Sequence, residues 1–270
     1  MIRKPAVAGA FYPADPQTLS EMVTGMVDEL ATKTEVVGFV SPHAGYVYSG
    51  QVAGAVISRV SLGDTCIMLG PNHTGLGKPF SLWSGDDWET PMGQVAIDET
   101  LRQELLSNSA YLAGDTDAHR HEHSLEVQLP FLQHFKPGIK IVPIILGSST
   151  PDDYQSLGEE LANVISASER HTTILVSSDM THYESQSSAE HKDKLAIEAV
   201  LALNGEALVN RIAEFNITMC GYAPTLVLIA AAKKLGATTG ELIRYQTSGD
   251  TSGNYQSVVG YAGIIIRRTT

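Results

Sequence analysis

Three histidines in this chain follow short apolar runs and sit in turns built from Gly, Pro, Ser or Asn. Residues 36–40 run into Ser41-Pro42-His43-Ala44-Gly45-Tyr46, and residues 64–69 into Gly70-Pro71-Asn72-His73. Residues 172–176 run into Ser177-Ser178-Asp179-Met180-Thr181-His182. A single histidine after a strand is more often an ordinary loop residue. Three in the same setting point to one shared site, where imidazoles bind a metal or carry protons. The glycines and prolines stiffen these turns and let backbone approach a ligand closely.

A second cluster is His119-Arg120-His121-Glu122-His123-Ser124. His119 and His121 read as a solvated loop. His123 stands just ahead of the helix expected from Ser124, where a reacting oxygen or an anion can be held. His134, His171 and His191 have no partners nearby and read as surface residues. Of the two cysteines, Cys66 lies inside an apolar run and reads as a buried small hydrophobe. Cys220, in Thr218-Met219-Cys220-Gly221-Tyr222, precedes a helix. There it is either packing or a thiol of lowered pKa, able to serve as ligand or nucleophile. Neither a Walker loop nor a dinucleotide fingerprint occurs, and Ser177 and Ser178 lack a nucleophile-elbow setting.

Apolar runs at 36–40, 64–69, 139–146, 172–176 and 257–266 predict strands. Pro143 marks an edge, a bulge or a break in the third of them. Helical spacing appears at 16–30, 49–60, 124–135, 151–165, 189–203 and 223–235, with Asp15 and Thr150 as N-caps. Strand and helix alternate, which predicts an α/β fold. Its central sheet is mainly parallel or mixed, and helices cover both faces. No linker divides the chain, so one domain is expected over 1–270. In such sheets ligands bind beyond the carboxyl ends of the strands, where the three histidine turns fall.

Composition narrows the partners. The 270 residues carry 18 Lys and Arg against 30 Asp and Glu, a net charge of −12, which disfavours nucleic acid and anionic membrane surfaces. With 43% hydrophobic and 18% charged residues the chain can bury a core. Two cysteines make no disulfide framework. No apolar run reaches the roughly 18 residues of a membrane span, and the first residues lack a secretion signal's apolar stretch. A soluble, cytoplasmic protein is expected.

Several blocks occur in a fixed order: residues 3–13 (RKPAVAGAFYP), SPHAGY at 41–46, GPNH at 70–73, and EHSLEVQLPFL at 122–132. SSDMTHY follows at 177–183, MCGY at 219–222, YQTSGD at 245–250 and VVGY at 258–261. Together these resemble the MEMO family, whose prokaryotic members are also called AmmeMemoRadiSam system protein B. That family is similar in fold to the class III extradiol dioxygenases, which use nonheme iron(II) held by two histidines and a carboxylate. The resemblance implies His43 and His73 as metal ligands, with Cys220 where the dioxygenases have their carboxylate. It implies His123 and His182 as carriers of protons and oxygen, and Asp179 as a pocket residue. Iron(II) is the expected metal, while the softer thiolate brings copper or zinc into range. The implied function is a metal-dependent oxidoreductase on a small aromatic or oxygen-rich substrate. The alternatives are a non-catalytic iron or copper redox protein and a module that holds a peptide in the pocket.

Overall fold

A computed structural model describes residues 1–269. Its strands are β1 (Gly38–Ser41), β2 (Thr65–Pro71), β3 (Phe80–Trp83), β4 (Trp88–Thr90), β5 (Gly93–Ile97) and β6 (Ala113–Asp115). They continue with β7 (Lys140–Leu146), β8 (Thr172–Ser177), β9 (His182–Glu184), β10 (Thr239–Thr247) and β11 (Val258–Arg267). The sheet runs β10-β11-β1-β8-β2-β7-β3-β6. Its centre, β1, β8, β2 and β7, is parallel, while β11 joins β1 and β3 joins β7 antiparallel. The expected mixed α/β sheet is therefore what forms. The carboxyl ends of β1, β8 and β2 lie side by side, which brings three loops from distant parts of the chain to one edge.

The central strands are apolar throughout because both faces are covered. Ile67, Leu69, Ile174 and Val176 point into one core, and Cys66, Met68 and Leu175 into the other. Period-two alternation sends neighbours to opposite faces, and here both are dry. The first face is covered by α3 (Glu99–Asn108), α6 (Pro151–Ala167), α7 (Gln186–Leu201), α8 (Gly205–Phe215) and α9 (Tyr222–Lys234). The second is covered by α1 (Pro16–Thr24), α2 (Tyr46–Ile57) and α5 (Leu129–Phe135). Two short helices, α4 (Asp117–Arg120) and α10 (Gly249–Ser252), lie in connections. Each fully buried aliphatic side chain stabilises by roughly 1.5–3 kcal/mol, so the strands rather than the turns beyond them carry the fold. Among the described residues no helix is long and apolar enough to cross a membrane.

Several expectations change. Pro143 is not at an edge: β7 runs unbroken between β2 and β3. On its β3 side, β5 pairs with Lys140 and Ile141 and β3 with Ile144 to Leu146. Pro143 falls in the gap between those pairings, where a missing N–H leaves no bond unmade. The helix expected over 16–30 stops at Thr24, capped by Gly25. The helix expected from Ser124 begins instead as a 3₁₀ turn, Glu126–Gln128, and becomes α-helical only from Leu129 with Pro130 in its first turn. His123 therefore has no long helix N-terminus in front of it. His119 is fully buried rather than solvated: its ring stands edge-on to Trp83 (5.5 Å) and Trp88 (6.0 Å), with Nε2 3.1 Å from the Ser81 carbonyl. Burial, then the charge of Arg3, holds its pKa down at about 3. His121 is exposed, as expected.

Candidate metal centre

Two residues beyond β1, His43 is 2% exposed, and its backbone N–H donates to Asp179 Oδ1 (2.8 Å) in the loop after β8. Its Nδ1 lies 2.9 Å from Ser177 Oγ. The Ser177 hydroxyl donates its one proton to the Ser124 carbonyl (2.6 Å) and accepts from Gln128 Nε2 (2.8 Å). With that proton committed, His43 must be the donor at Nδ1, which leaves the lone pair of Nε2 facing Cys220 Sγ at 3.2 Å. Burial, then the neighbouring imidazoles of His123, His73 and His182, holds its pKa well below the usual value. The ring is neutral, the form that binds metal.

His73 is fixed the same way by a different partner. Glu122 accepts the His73 backbone N–H at Oε2 (2.7 Å) and Nδ1–H at Oε1 (2.9 Å), and also the Ser124 N–H (2.9 Å). Burial raises the carboxyl's pKa, but the His73 hydrogen bond and charge and the Ser124 amide outweigh it and bring it down to about 2. Burial lowers the pKa of His73, and Glu122 more than reverses this. A carboxylate on the far nitrogen of an imidazole orients the ring and raises its basicity as a ligand.

His123 completes the group. Its ring stacks on His73 with centroids 4.8 Å apart and stands edge-on to His43 at 5.4 Å. Ligand-type atoms of His43, His73 and His123 all lie within 4.8 Å of one another. Bonds of about 2.0–2.1 Å to a common tetrahedral ion put nitrogens about 3.4 Å apart, so side-chain adjustment of about an ångström closes the set. Phe11, 4.9 Å from the His123 ring, covers it from the N-terminal segment. Burial lowers the pKa of His123 as well.

Cys220 stands beside this group, with Sγ 3.2 Å from His43 Nε2 and accepting the Asp179 N–H at 3.3 Å. The thiol's pKa is not lowered by the helix that follows: burial, then the Asp179 carboxylate, pushes it up. Gly221 makes this approach feasible, because a Cβ there would overlap Ser178 and the Ser177 carbonyl. Asp179 is buried, and burial outweighs the hydrogen bond from His43 to raise its carboxyl to about 7. It clamps the His43 turn and does not orient His182. That task falls to Thr218, whose carbonyl lies 2.9 Å from His182 Nδ1 and whose Oγ1 accepts the His182 N–H (2.7 Å). His182 therefore presents a free Nε2, and burial keeps it largely neutral near pH 7.

The site thus gathers His43, His73, His123, Asp179 and Cys220, with His123 in the ligand group and Cys220 at its edge, and His182 lies near enough for its charge to act on His43. A family model described as Memo-like protein matches residues 3–265. The chain belongs to the Memo family. It is 44% identical to a MEMO1 family protein of Aquifex aeolicus over 98% of both chains. It is 40% identical to one of Methanopyrus kandleri over 99% of this chain and all of the relative. In fold it is similar to a solved protein of Escherichia coli K12, with TM-score 0.55 and 12% identity over 84% of this chain and 98% of that one. The Memo blocks acquire physical roles here, several on residues the sequence left without one. Glu122 orients His73, Ser177 and Gln128 fix His43, and Thr218 fixes His182. Ser177 drew attention only as a nucleophile, and Glu122 was visible only as the lone carboxylate inside a histidine cluster.

Glu122→Gln is expected to weaken metal binding by about 10–100-fold, the usual effect of losing a ligand's hydrogen-bonded carboxylate. Chelator-competition titration measures it. An unchanged dissociation constant would show that Glu122 serves only the loop.

Proposed function

We propose that the histidine pocket binds a divalent metal, iron(II) in the working protein, and is the centre of an oxidoreductase acting on a small aromatic or oxygen-rich molecule. The observation that carries this reading is the combination of tautomer-fixed His43 and His73, the first of them neutral, with a neutral His182 outside the ligand group. A metal store needs the donors but not the base. Imidazoles suit iron, copper and zinc alike, and iron(II) follows from the likeness to the class III extradiol dioxygenases. Bound there, the metal would supply Lewis acidity toward a substrate hydroxyl and electrons toward dioxygen. His43, His73 and His123 would hold it, with Cys220 as an adjoining soft donor. His182 Nε2 accepts the proton a substrate hydroxyl releases, while the Thr218 carbonyl keeps the ring aimed. Phe11 keeps water from the His123 side. The acidic chain and the histidine-lined pocket support a small molecule as partner rather than nucleic acid.

Anaerobic purification, elemental analysis and dioxygen-uptake assays with vicinal aromatic diols test this reading. Stoichiometric iron and diol-dependent uptake are expected. A protein that takes up no metal would end it.

The contact between Cys220 Sγ and His43 Nε2 favours a second reading, a thiolate-tuned copper(I) site without turnover. Cys220→Asp separates the two. Under the first reading iron(II) binding persists and copper(I) binding weakens at least tenfold, carboxylate being the harder ligand. Under the second, binding of the native metal is lost. Anaerobic titration of both metals into both proteins gives the answer.

A further inference from the structure

Three residues other than glycine have positive φ among the described residues: Tyr183 (60°), Leu203 (51°) and Asn216 (50°). Two of them have evident reasons. Asn216 ends α8 in the left-handed conformation that asparagine tolerates, and Leu203 buries its side chain to 5% exposure after α7. Tyr183 has neither. It is bulky, its backbone is in the disfavoured region, and it is 78% exposed. Strain of this kind persists where it serves a site.

The left-handed turn has one visible consequence. In a regular strand Tyr183 would face away from its neighbour His182. Instead the two rings stand edge to face with centroids 5.8 Å apart, on the short strand β9 whose pairing to β11 is irregular between Val258 and Val259. The phenol is thereby kept on the same side of the strand as the His182 imidazole. Tyr48 near the start of α2 is also exposed (42%), and Tyr261 on β11 is buried. Burial, then the charges of Asp179, Tyr48 and Tyr183, raises the pKa of Tyr261, so these groups lie near one another.

We propose that Tyr183 is a specificity-determining residue of this pocket: its ring is the wall against which the aromatic ring of a chelating ligand packs. The inference rests on the reading of the pocket as an open metal site, and it narrows the ligand class to aromatic rather than merely oxygen-rich molecules.

Benzohydroxamate and acetohydroxamate share one metal-binding group and differ by the ring, so their affinity ratio isolates the ring's contact. Isothermal titration of both into zinc-loaded parent, Tyr183→Phe, Tyr183→Leu and Tyr183→Gly proteins provides the test, with zinc content and Tm recorded for each. The parent and Tyr183→Phe should share one preference for benzohydroxamate. Tyr183→Gly and Tyr183→Leu should lose about 3–10-fold of it, the worth of one aromatic contact, with acetohydroxamate affinity and zinc content unchanged. Tyr183→Gly should have a Tm no lower than the parent, since glycine relieves the strain. An unchanged ratio in both Tyr183→Gly and Tyr183→Leu, beside normal acetohydroxamate binding, overturns the role of Tyr183 and leaves the metal site standing. A Tm several degrees lower in Tyr183→Gly overturns it too, because the ring would then be a packing element. Zinc-loaded parent that binds neither hydroxamate overturns the open metal site and this inference together.

Discussion

His43→Ala and His73→Ala are each expected to abolish stoichiometric metal binding while the protein still unfolds cooperatively. Removing an outer hydrogen-bond partner of a ligand already costs about 10–100-fold, and removing the ligand itself leaves two imidazoles where three converged. The fold should survive because both rings lie in turns beyond the sheet, outside the two apolar cores. A stability loss of about 1–2 kcal/mol is expected, typical of one substitution without a large core cavity. Elemental analysis under reducing conditions and thermal unfolding measure the two effects. Equal metal content in parent and variants would remove these residues from any metal site, and loss of cooperative unfolding would make them structural.

Glu126→Ala is expected to be the most destabilising single change near the pocket. Glu126 is fully buried, and Arg3, 2% exposed at its side chain, pairs with it at 2.7 Å. Its carboxylate also accepts the Ala6 N–H (2.7 Å), the Val7 N–H (3.0 Å) and the Tyr12 hydroxyl (2.6 Å). Removing it strands the guanidinium, whose remaining bonds go to the His119, Glu122 and Lys4 carbonyls, in a dry setting against the face of Trp88. Breaking a buried pair from one side costs about 3–5 kcal/mol. For a chain of this length the Tm should fall on the order of 10 °C. The N-terminal segment should also become the first site of proteolytic cleavage, and Phe11 should leave His123. A Tm within a degree or two of the parent would show that the pair stabilises no more than a surface one.

The sheet and the site were legible to different depths. The central strands stood out because, buried on both faces, they are continuous apolar runs. Edge strand β10 did not, since Glu241, Arg244 and Gln246 give it the look of a loop. The approach of His43 to His73 followed from strand ends alone, because parallel strands deliver their carboxyl ends to one edge. What fixes each ring was illegible, as Glu122, Ser177 and Thr218 meet their histidines across 49, 134 and 36 residues. His119 failed for a related reason: the tryptophans that bury it belong to β3 and β4, which the apolar pattern did not reveal. His123 and Cys220 follow a strong family resemblance, yet only geometry separates which one stands inside the histidine group.

Strand β1 is flanked by β8 on one side and β11 on the other, both made much later than itself. On the ribosome its 4 residues must wait, unpaired, until nearly the whole chain has emerged. The same holds for Arg3, whose carboxylate partner lies 123 residues on. Closing such distant pairings is entropically expensive and slow, so the pocket edge should form in the last stage of folding. A nascent chain therefore has no assembled histidine cluster, and metal loading on the proposed reading would be an event of the finished protein.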